Sequence, residues 1–449
     1  MRLDRSPAAL QAASRDFGRI HEAEPWAVLL PETGNHVAEG VQWVVAKGLT
    51  VSARGRGHNG SGYAQADGGL VVDTRTLARV HEVTPEYVDV DTGCDWDTVL
   101  ASTLPLGLRP PVLPSHQRLS VGGVLSVGGI GEATFRYGTV GNSVISFDLV
   151  TGAGETLTCS RDLHADLFAG CLGGFGQFGI ITRARIRLVP VPPLQRVVRM
   201  LYSDAGAYTA DFSRLMDSGQ KVEGIMGSAI PNTRPWLQRA MGPVSKAIWL
   251  RPAEFPWVMA LEVRYQPGFE DELGDLAYLP GARYVQECAG FIDFEPVPSN
   301  ADAHNIWLHL MIPVSNAPRF LEYVFRTLDT DPETDGPITV YPIVPGAIQP
   351  TAFQAPTGEN LMLFDLMPVI GLDDGARLER VMECLRRTDE FASSLGGMCY
   401  PVGGLRYSSA DWKRHFGSRW PQLLALKKRY DPDLRFGRAV SMFEPSDFN

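Results

Sequence analysis

An α+β fold in two domains is what this 449-residue sequence predicts, and three observations carry the prediction. The N-terminal part opens β–α–β and continues in mostly β pieces, the order of a domain with a mixed sheet. A proline-rich strand exit, Val189–Pro193 (VPVPP), then breaks the pattern where a domain boundary is expected. From about residue 195 to 400 strand-like runs alternate with helical ones, as in a second α+β domain whose antiparallel sheet covers the first. The expected units are 1–195, completed by 405–449, and 196–404.

In chain order, Leu3–Phe17 reads as a short amphipathic helix and the apolar run Ala27–Leu30 as a strand. Asn35–Lys47 is expected as a helix and Thr50–Ala53 as the next strand. Gly69–Asp73 and Tyr87–Asp91 are short β-branched runs, hence strands. Asp95–Leu104 reads as a helix, with Asp95 and Asp97 as capping residues and Gly107 as its stop. Val144–Thr151, Thr156–Thr158 and Gly179–Val189 complete the first domain as strands. In the second, strands are expected at Arg196–Leu201, Trp257–Tyr265, Asn305–Pro313 and Leu361–Pro368. Its helices are expected at Tyr208–Asp217, Pro318–Thr327 and Ala376–Leu395. The tail forms a helix, Trp420–Tyr430, between aromatic-rich ends and returns to the first domain.

The chemistry concentrates in one loop. Val51–Leu77 (VSARGRGHNGSGYAQADGGLVVDTRTL) sets Gly55, Gly57, Gly60 and Gly62 around His58. Without a Cβ, glycine lets amide N–H groups close on an anion and lets the backbone take positive φ. A loop this rich in glycine after a strand therefore reads as a pyrophosphate cradle. His58 then stands against whatever hangs from the diphosphate, which points to a flavin with His58 as a candidate tether. The spacing is not that of a P-loop, since no lysine follows the glycines. No long helix with an acidic residue about 20 positions on follows either, which disfavours a Rossmann site. A tight hairpin loop is the competing reading of the glycines alone. A second glycine segment, Ser120–Gly138 (SVGGVLSVGGIGEATFRYG), counts against it, because two such loops suit a long ligand with two phosphates.

Composition excludes other classes. Hydrophobic residues make up 44% and charged residues 20%, as in soluble globular proteins. A net charge of −10 gives no electrostatic support to a nucleic-acid or anionic-membrane partner. The six cysteines show no metal-ligand spacing and read as buried small side chains, so no metal is expected. No signal peptide and no run of about 18 apolar residues is visible, so a cytoplasmic location without a membrane partner is expected. Oligomeric state is not legible.

The same stretches resemble the flavoprotein superfamily related to vanillyl-alcohol oxidase (PCMH-type FAD-binding) and, within it, the cytokinin dehydrogenases. Ala53–Leu77, Leu119–Glu155 (LSVGGVLSVGGIGEATFRYGTVGNSVISFDLVTGAGE) and Asp166–Pro192 (DLFAGCLGGFGQFGIITRARIRLVPVP) carry the resemblance. Asp411–Trp420 (DWKRHFGSRW) and Tyr430–Gly437 (YDPDLRFG) fit well near the C terminus, and Gly336–Pro342 (GPITVYP) fits more loosely. The resemblance implies FAD bound covalently through an imidazole nitrogen of His58 to the flavin 8α-methyl. It implies backbone donors from Gly55, Arg56, Gly57 and Asn59 around the diphosphate, with Tyr63, Ser115, Ser120, Gly122, Gly123, Ser126 and Ile130 also along the cofactor. Ile180 and Ile181 are implied at the adenosine half. The implied reaction is hydride transfer from a C–H next to N or O of a small organic substrate, with oxygen or another acceptor taking the electrons.

Two departures narrow the reading. Cytokinin dehydrogenases carry an Asp as substrate-amine base seven residues before the first glycine pair of the second segment, where Ser115 stands here. A hydroxyl is no resting base, so a different substrate is expected, such as an amine or alcohol intermediate of bacterial secondary metabolism. Bicovalent relatives attach a Cys near the same place, but no cysteine lies between Cys94 and Cys159, so one tether is expected. His116 is the candidate general base, because an imidazole titrates near neutrality, against a histidine that only builds the loop. Tyr137, beside Arg136, is the other catalytic candidate, or else a loop anchor. His309, Tyr341, Trp249 and Tyr265 are candidates for the substrate pocket or for the core. His304 and His309, on opposite faces of an expected strand, do not suit a metal pair. Three alternatives stay open: an alcohol or sugar oxidase on the same fold, a redox-neutral flavin-dependent cyclase, and a non-catalytic flavin-binding protein.

Overall fold

Short apolar runs at the N terminus form the first sheet. In the computed structural model, which describes residues 2–231, 256–280, 282–289, 302–330 and 336–448, Val51–Arg54 and Ala27–Leu29 flank Leu70–Asp73 in parallel. Leu3–Asp4 adds an antiparallel edge. The helix Gly34–Lys47 connects two of these strands. Thr33 Oγ1 accepts from the His36 amide at its start, and Gly48, in the left-handed region, stops it. The helix expected over Leu3–Phe17 is shorter than the sequence suggested: Ser6 caps it and Pro7 sets its first turn, so it spans only Pro7–Ala13.

A five-stranded antiparallel sheet follows, in the order Val80–Val83, Tyr87–Asp91, Ile180–Arg187, Val144–Val150, Thr156–Ser160. The helix Trp96–Thr103 is capped by Asp95, as expected, and not by Asp97. The C-terminal helices Ser409–Phe416 and Trp420–Tyr430 bury Trp412, Phe416, Leu423, Leu426 and Tyr430 in the core of this sheet. The chain then bridges Val51 through Phe436, so the tail closes against the His58 loop's own strand.

The second sheet has eight antiparallel strands, in the order Arg283–Ala289, Leu194–Tyr202, Trp257–Tyr265, Val222–Pro231, Ile338–Ile343, Leu361–Leu366, Leu308–Pro313, Met398–Cys399. The first, fourth, fifth and eighth of these were not expected. Glycines punctuate Val222–Pro231 and prolines flank the core of Ile338–Ile343, which masks their strand character. Side chains alternate across a strand, and here the alternation separates two environments. Leu308, Leu310, Ile338, Val340, Met362 and Phe364 pack with the helices Ala205–Met216, Ala317–Thr330 and Gly375–Ser394. Met311, Tyr341, Leu361 and Leu363 face the other way and pack with Ile130, Phe353 and Tyr400. The α+β, two-domain architecture read from the sequence is thus the one observed. Cys94, Cys159, Cys171, Cys384 and Cys399 are free and buried. No helix among the described residues is long and apolar enough to cross a membrane.

Candidate active site

Close backbone approach builds the first cavity. A Cβ on Gly55 would sit 1.9 Å from Ser120 Oγ, so the two glycine segments touch only because residue 55 has no side chain. Gly57 takes φ +67°, a left-handed turn that brings His58 inward. Asn59 Oδ1 accepts from the amides of Ser61 (2.9 Å) and Tyr63 (3.0 Å), folding the loop back on itself. Opposite, the helix Val121–Val127 starts at Ser120, whose hydroxyl makes no capping bond, with Gly122 and Gly123 in its first turn. The cavity between is lined by Gly55, Arg56, Gly57, His58, Asn59, Tyr63, Ser120, Gly122, Gly123, Ser126, Ile180 and Ile181. Arg56 is its only cationic lining among the described residues, and its guanidinium is held by Asp95 at 2.5 Å. Polar lining is otherwise backbone, hydroxyl and amide, which suits a diphosphate held by neutral donors.

A second cavity shares His58, Leu119, Val124, Val127 and Val402 with the first, so the two meet at His58. His58 lies between Phe17 (ring centroids 3.9 Å apart, stacked) and His116 (4.8 Å, stacked), with Trp307 edge-on at 5.3 Å. Phe17 is fixed from both domains: its amide donates to Gly57 O at 2.8 Å and its carbonyl accepts from Asn305 Nδ2 at 3.1 Å. Burial, with smaller contributions from His116 and His309, pushes the His58 pKa down to about 3. The ring is therefore neutral at physiological pH, and its Nε2 is buried without a hydrogen-bond partner. A neutral imidazole whose nitrogen lacks a partner, at the junction of two cavities, fits attachment to a flavin ring lying there.

The second cavity is where the sheet contributes. Register places His309 opposite Asp365 and Thr339 opposite Asp365, while Tyr341 pairs with Leu363. His309 Nδ1 lies 2.7 Å from Asp365 Oδ1, and Thr339 Oγ1 donates to Asp365 Oδ2 at 3.3 Å. Ser115 Oγ donates to Tyr341 Oη at 2.5 Å. His309 and Tyr341, left open by the sequence between the substrate pocket and the core, both line this chamber. Tyr265 is instead buried in the core on the helix side of the sheet, and Trp249 lies outside the described residues.

Three placements correct the sequence reading. Ser115 and Ile130, expected along the cofactor, line the second cavity and not the first: Ser115 is bonded to Tyr341, and Ile130, beyond the helix Val121–Val127, packs with Met311 and Tyr341 of the second sheet. Tyr137 lines neither cavity; the guanidinium groups of Arg136 and Arg187 stand 4.9 and 6.0 Å from its ring, which packs against the core of the first domain. It is a loop anchor. His116 lies in the second cavity, its ring parallel to His58, and burial with Arg118 nearby lowers its pKa. The sequence reading missed Phe17, Trp307, Tyr400 and Asp365, which line the same chamber. Only Asp365 left a signal: a lone acid within the otherwise apolar LMLFDL.

One buried carboxyl beneath the loop gives a stability test. Asp16 Oδ2 accepts from the Gly62 amide at 2.5 Å, and burial raises its pKa to about 6 against the lowering effect of the Gly62 and Arg19 amides. A folded-state pKa above the unfolded value means that the folded protein binds more protons between about pH 4 and 6. Stability is therefore lost as pH rises through that window, by up to about 3 kcal/mol. Asp16→Asn keeps an acceptor for Gly62 and should flatten this slope. Calorimetric melting from pH 4 to 8 should show the variant gaining on the parent as pH rises, and a parallel pair of curves would refute the assignment.

Comparison with known proteins agrees with this geometry. Residues 25–160 match the FAD binding domain family, and residues 299–443 match the family described as cytokinin dehydrogenase 1, FAD and cytokinin binding. The chain is similar to cytokinin dehydrogenase 5 of Oryza sativa subsp. japonica, with 33% identity over 99% of this chain and 91% of that protein. It is also similar to an uncharacterized oxidoreductase, ORF5 in the fasciation locus, of Rhodococcoides fascians, with 31% identity over 94% of each. Among solved structures it resembles 6-hydroxy-D-nicotine oxidase from Arthrobacter nicotinovorans, with a TM-score of 0.73 and 19% identity over 99% of this chain and 98% of that one. That last likeness is one of fold.

Proposed function

This chain belongs to the cytokinin dehydrogenase family of FAD-dependent oxidoreductases, and we propose that it carries FAD covalently on His58 and oxidises a small organic substrate other than a cytokinin. The bond broken in that substrate is a C–H next to nitrogen or oxygen. The observation that carries this reading is the meeting of the two cavities at His58. The first is glycine-walled and suited to the dinucleotide; the second is largely apolar and suited to an organic body. FAD, when bound, supplies the two-electron acceptor. The chain does the rest. Phe17 and His116 hold the plane of the His58 ring, and Trp307, Tyr400 and Leu363 enclose the substrate and exclude water. Ser115, which stands where the resemblance calls for an Asp, is bound to Tyr341, so the substrate meets hydroxyls there and not a carboxylate.

Absorbance of the purified protein before and after acid precipitation tests the tether, and anaerobic mixing tests the reaction. Yellow colour in the pellet, and bleaching by a member of a panel of benzylamine, N-methylbenzylamine, N6-isopentenyladenine and benzyl alcohol, are expected. N6-isopentenyladenine should be the poorest of the three amines. Fast bleaching by it at the rate of the best panel member would overturn the substrate reading. A product formed without bleaching would favour the redox-neutral cyclase.

A further inference from the structure

The second cavity carries a proton acceptor on the sheet side, away from the position where the resemblance looks for one. Resting on the reading above, we propose that His309 is the catalytic base of this enzyme and that Asp365 is its positioning residue, acting on an amine, the substrate class the family resemblance already implies. Neighbouring strands put His309, Asp365 and Thr339 in one row by register, and all three face the chamber. Asp365 is buried, its side chain 9% exposed, and its two oxygens are divided between His309 Nδ1 at 2.7 Å and Thr339 Oγ1 at 3.3 Å. An ionised carboxylate only accepts, so the imidazole donates through Nδ1–H and keeps its lone pair on Nε2. A histidine held in that tautomer by a carboxylate is the arrangement that general bases use. His116, the rival, has no carboxylate bonded to its ring among the described residues.

The charge of the chamber suits an amine. Among the described residues no lysine or arginine lines the chamber, and Asp365 is its one acid. An apolar enclosure with a single buried negative charge favours a substrate that arrives with N–H donors or a positive charge, and disfavours carboxylates and phosphates. Tyr341, two residues from Thr339 on the same strand, brings a hydroxyl to the same wall and accepts from Ser115 Oγ at 2.5 Å. In the step proposed, the amine nitrogen gives its N–H proton to His309 Nε2. Its neighbouring carbon gives up hydrogen with the bonding pair to FAD, and the nitrogen electrons freed by deprotonation close the C=N bond of the imine.

The test uses the flavin-loaded full chain and two readouts. Long-range ¹H–¹⁵N spectra of histidine-labelled protein, with His309 assigned by its absence in His309→Ala, should show the Nδ1–H tautomer. Asp365→Asn should shift it towards Nε2–H, because an amide can donate to Nδ1. In anaerobic stopped-flow with benzylamine and N-methylbenzylamine, His309→Ala should lower the reduction rate by about 100-fold or more. Photoreduction of its flavin should stay intact, and added imidazole should restore part of the rate. His81→Ala, which removes a second His–Asp pair of 2.7 Å lying outside both cavities, should change neither readout. An Nε2–H tautomer in the parent, a His309→Ala rate within threefold of it, or the loss appearing in His116→Ala instead would overturn the assignment and leave the proposed function standing. Bleaching by benzyl alcohol alone would overturn the amine assignment here. Photoreducible flavin that nothing in the panel bleaches would overturn both readings.

Discussion

His58→Ala is expected to fold, to bind FAD, and to lose all of it to the supernatant on acid precipitation, with an intact mass equal to the bare polypeptide. The argument runs from the environment of the ring. Its Nε2 has no hydrogen-bond partner, so removing the imidazole orphans no donor or acceptor, and the loop is held instead by Asn59, Asp16 and the Phe17 amide. What is lost is stacking with Phe17 and His116, worth about 0.5–1.5 kcal/mol per pair, which a chain of this size tolerates. The depressed pKa keeps the nitrogen unprotonated at neutral pH, as attack on an electrophilic carbon requires. His116→Ala, which removes the neighbouring ring and not the nucleophile, should keep the flavin in the pellet. Colour left in the pellet of His58→Ala would place the bond on another residue.

The first domain and its cavity were legible because glycine is chemically conspicuous: Gly55 and Gly57 announce a close approach and a left-handed turn whatever surrounds them. Of the residues expected on the cofactor, those within the two glycine segments and on the strand after Gly179 come together around one cavity, except Ile130. The chamber was harder to read. Its wall is one face of a sheet, and its residues are spread over strands far apart in sequence, so only their register makes His309, Asp365 and Thr339 neighbours. Phe17 was absorbed into a helix pattern that stops at Ala13. Tyr137 drew its catalytic reading for the opposite reason: it lies next to conspicuous glycines in sequence, but its ring turns to Arg136 and Arg187, as the loop-anchor alternative has it. Proximity in sequence predicted contact along a loop and failed across a sheet.

Lys427→Met should destabilise the fold by about 3–5 kcal/mol, because it strips the cation from a pair with no access to water. The Lys427 side chain is 0% exposed, and its Nζ donates to Asp431 Oδ2 at 2.6 Å, Gln177 O at 2.7 Å and Phe436 O at 3.0 Å. Burial pushes the Lys427 pKa down while Asp431 opposes that, so the carboxylate is what keeps the ammonium charged. Without it, Asp431 retains the amides of Arg435 (2.9 Å) and Phe436 (2.9 Å) but stands as an uncompensated buried charge. Removing both partners should recover part of the loss and not all, since Asp431 also folds the turn into Phe436. The effect reaches the cofactor. Gln177 belongs to the loop Phe175–Gly179, and its Nε2 donates to Gly437 O at 3.3 Å; Phe175, Gly176, Gly179 and Gly437 all line the first cavity. Denaturant unfolding should therefore move to lower concentration together with a fall in flavin incorporation, while His58 itself is untouched. A variant that loses stability yet fills with flavin as the parent does would show that this ammonium serves the tail alone and not the wall of the FAD cavity.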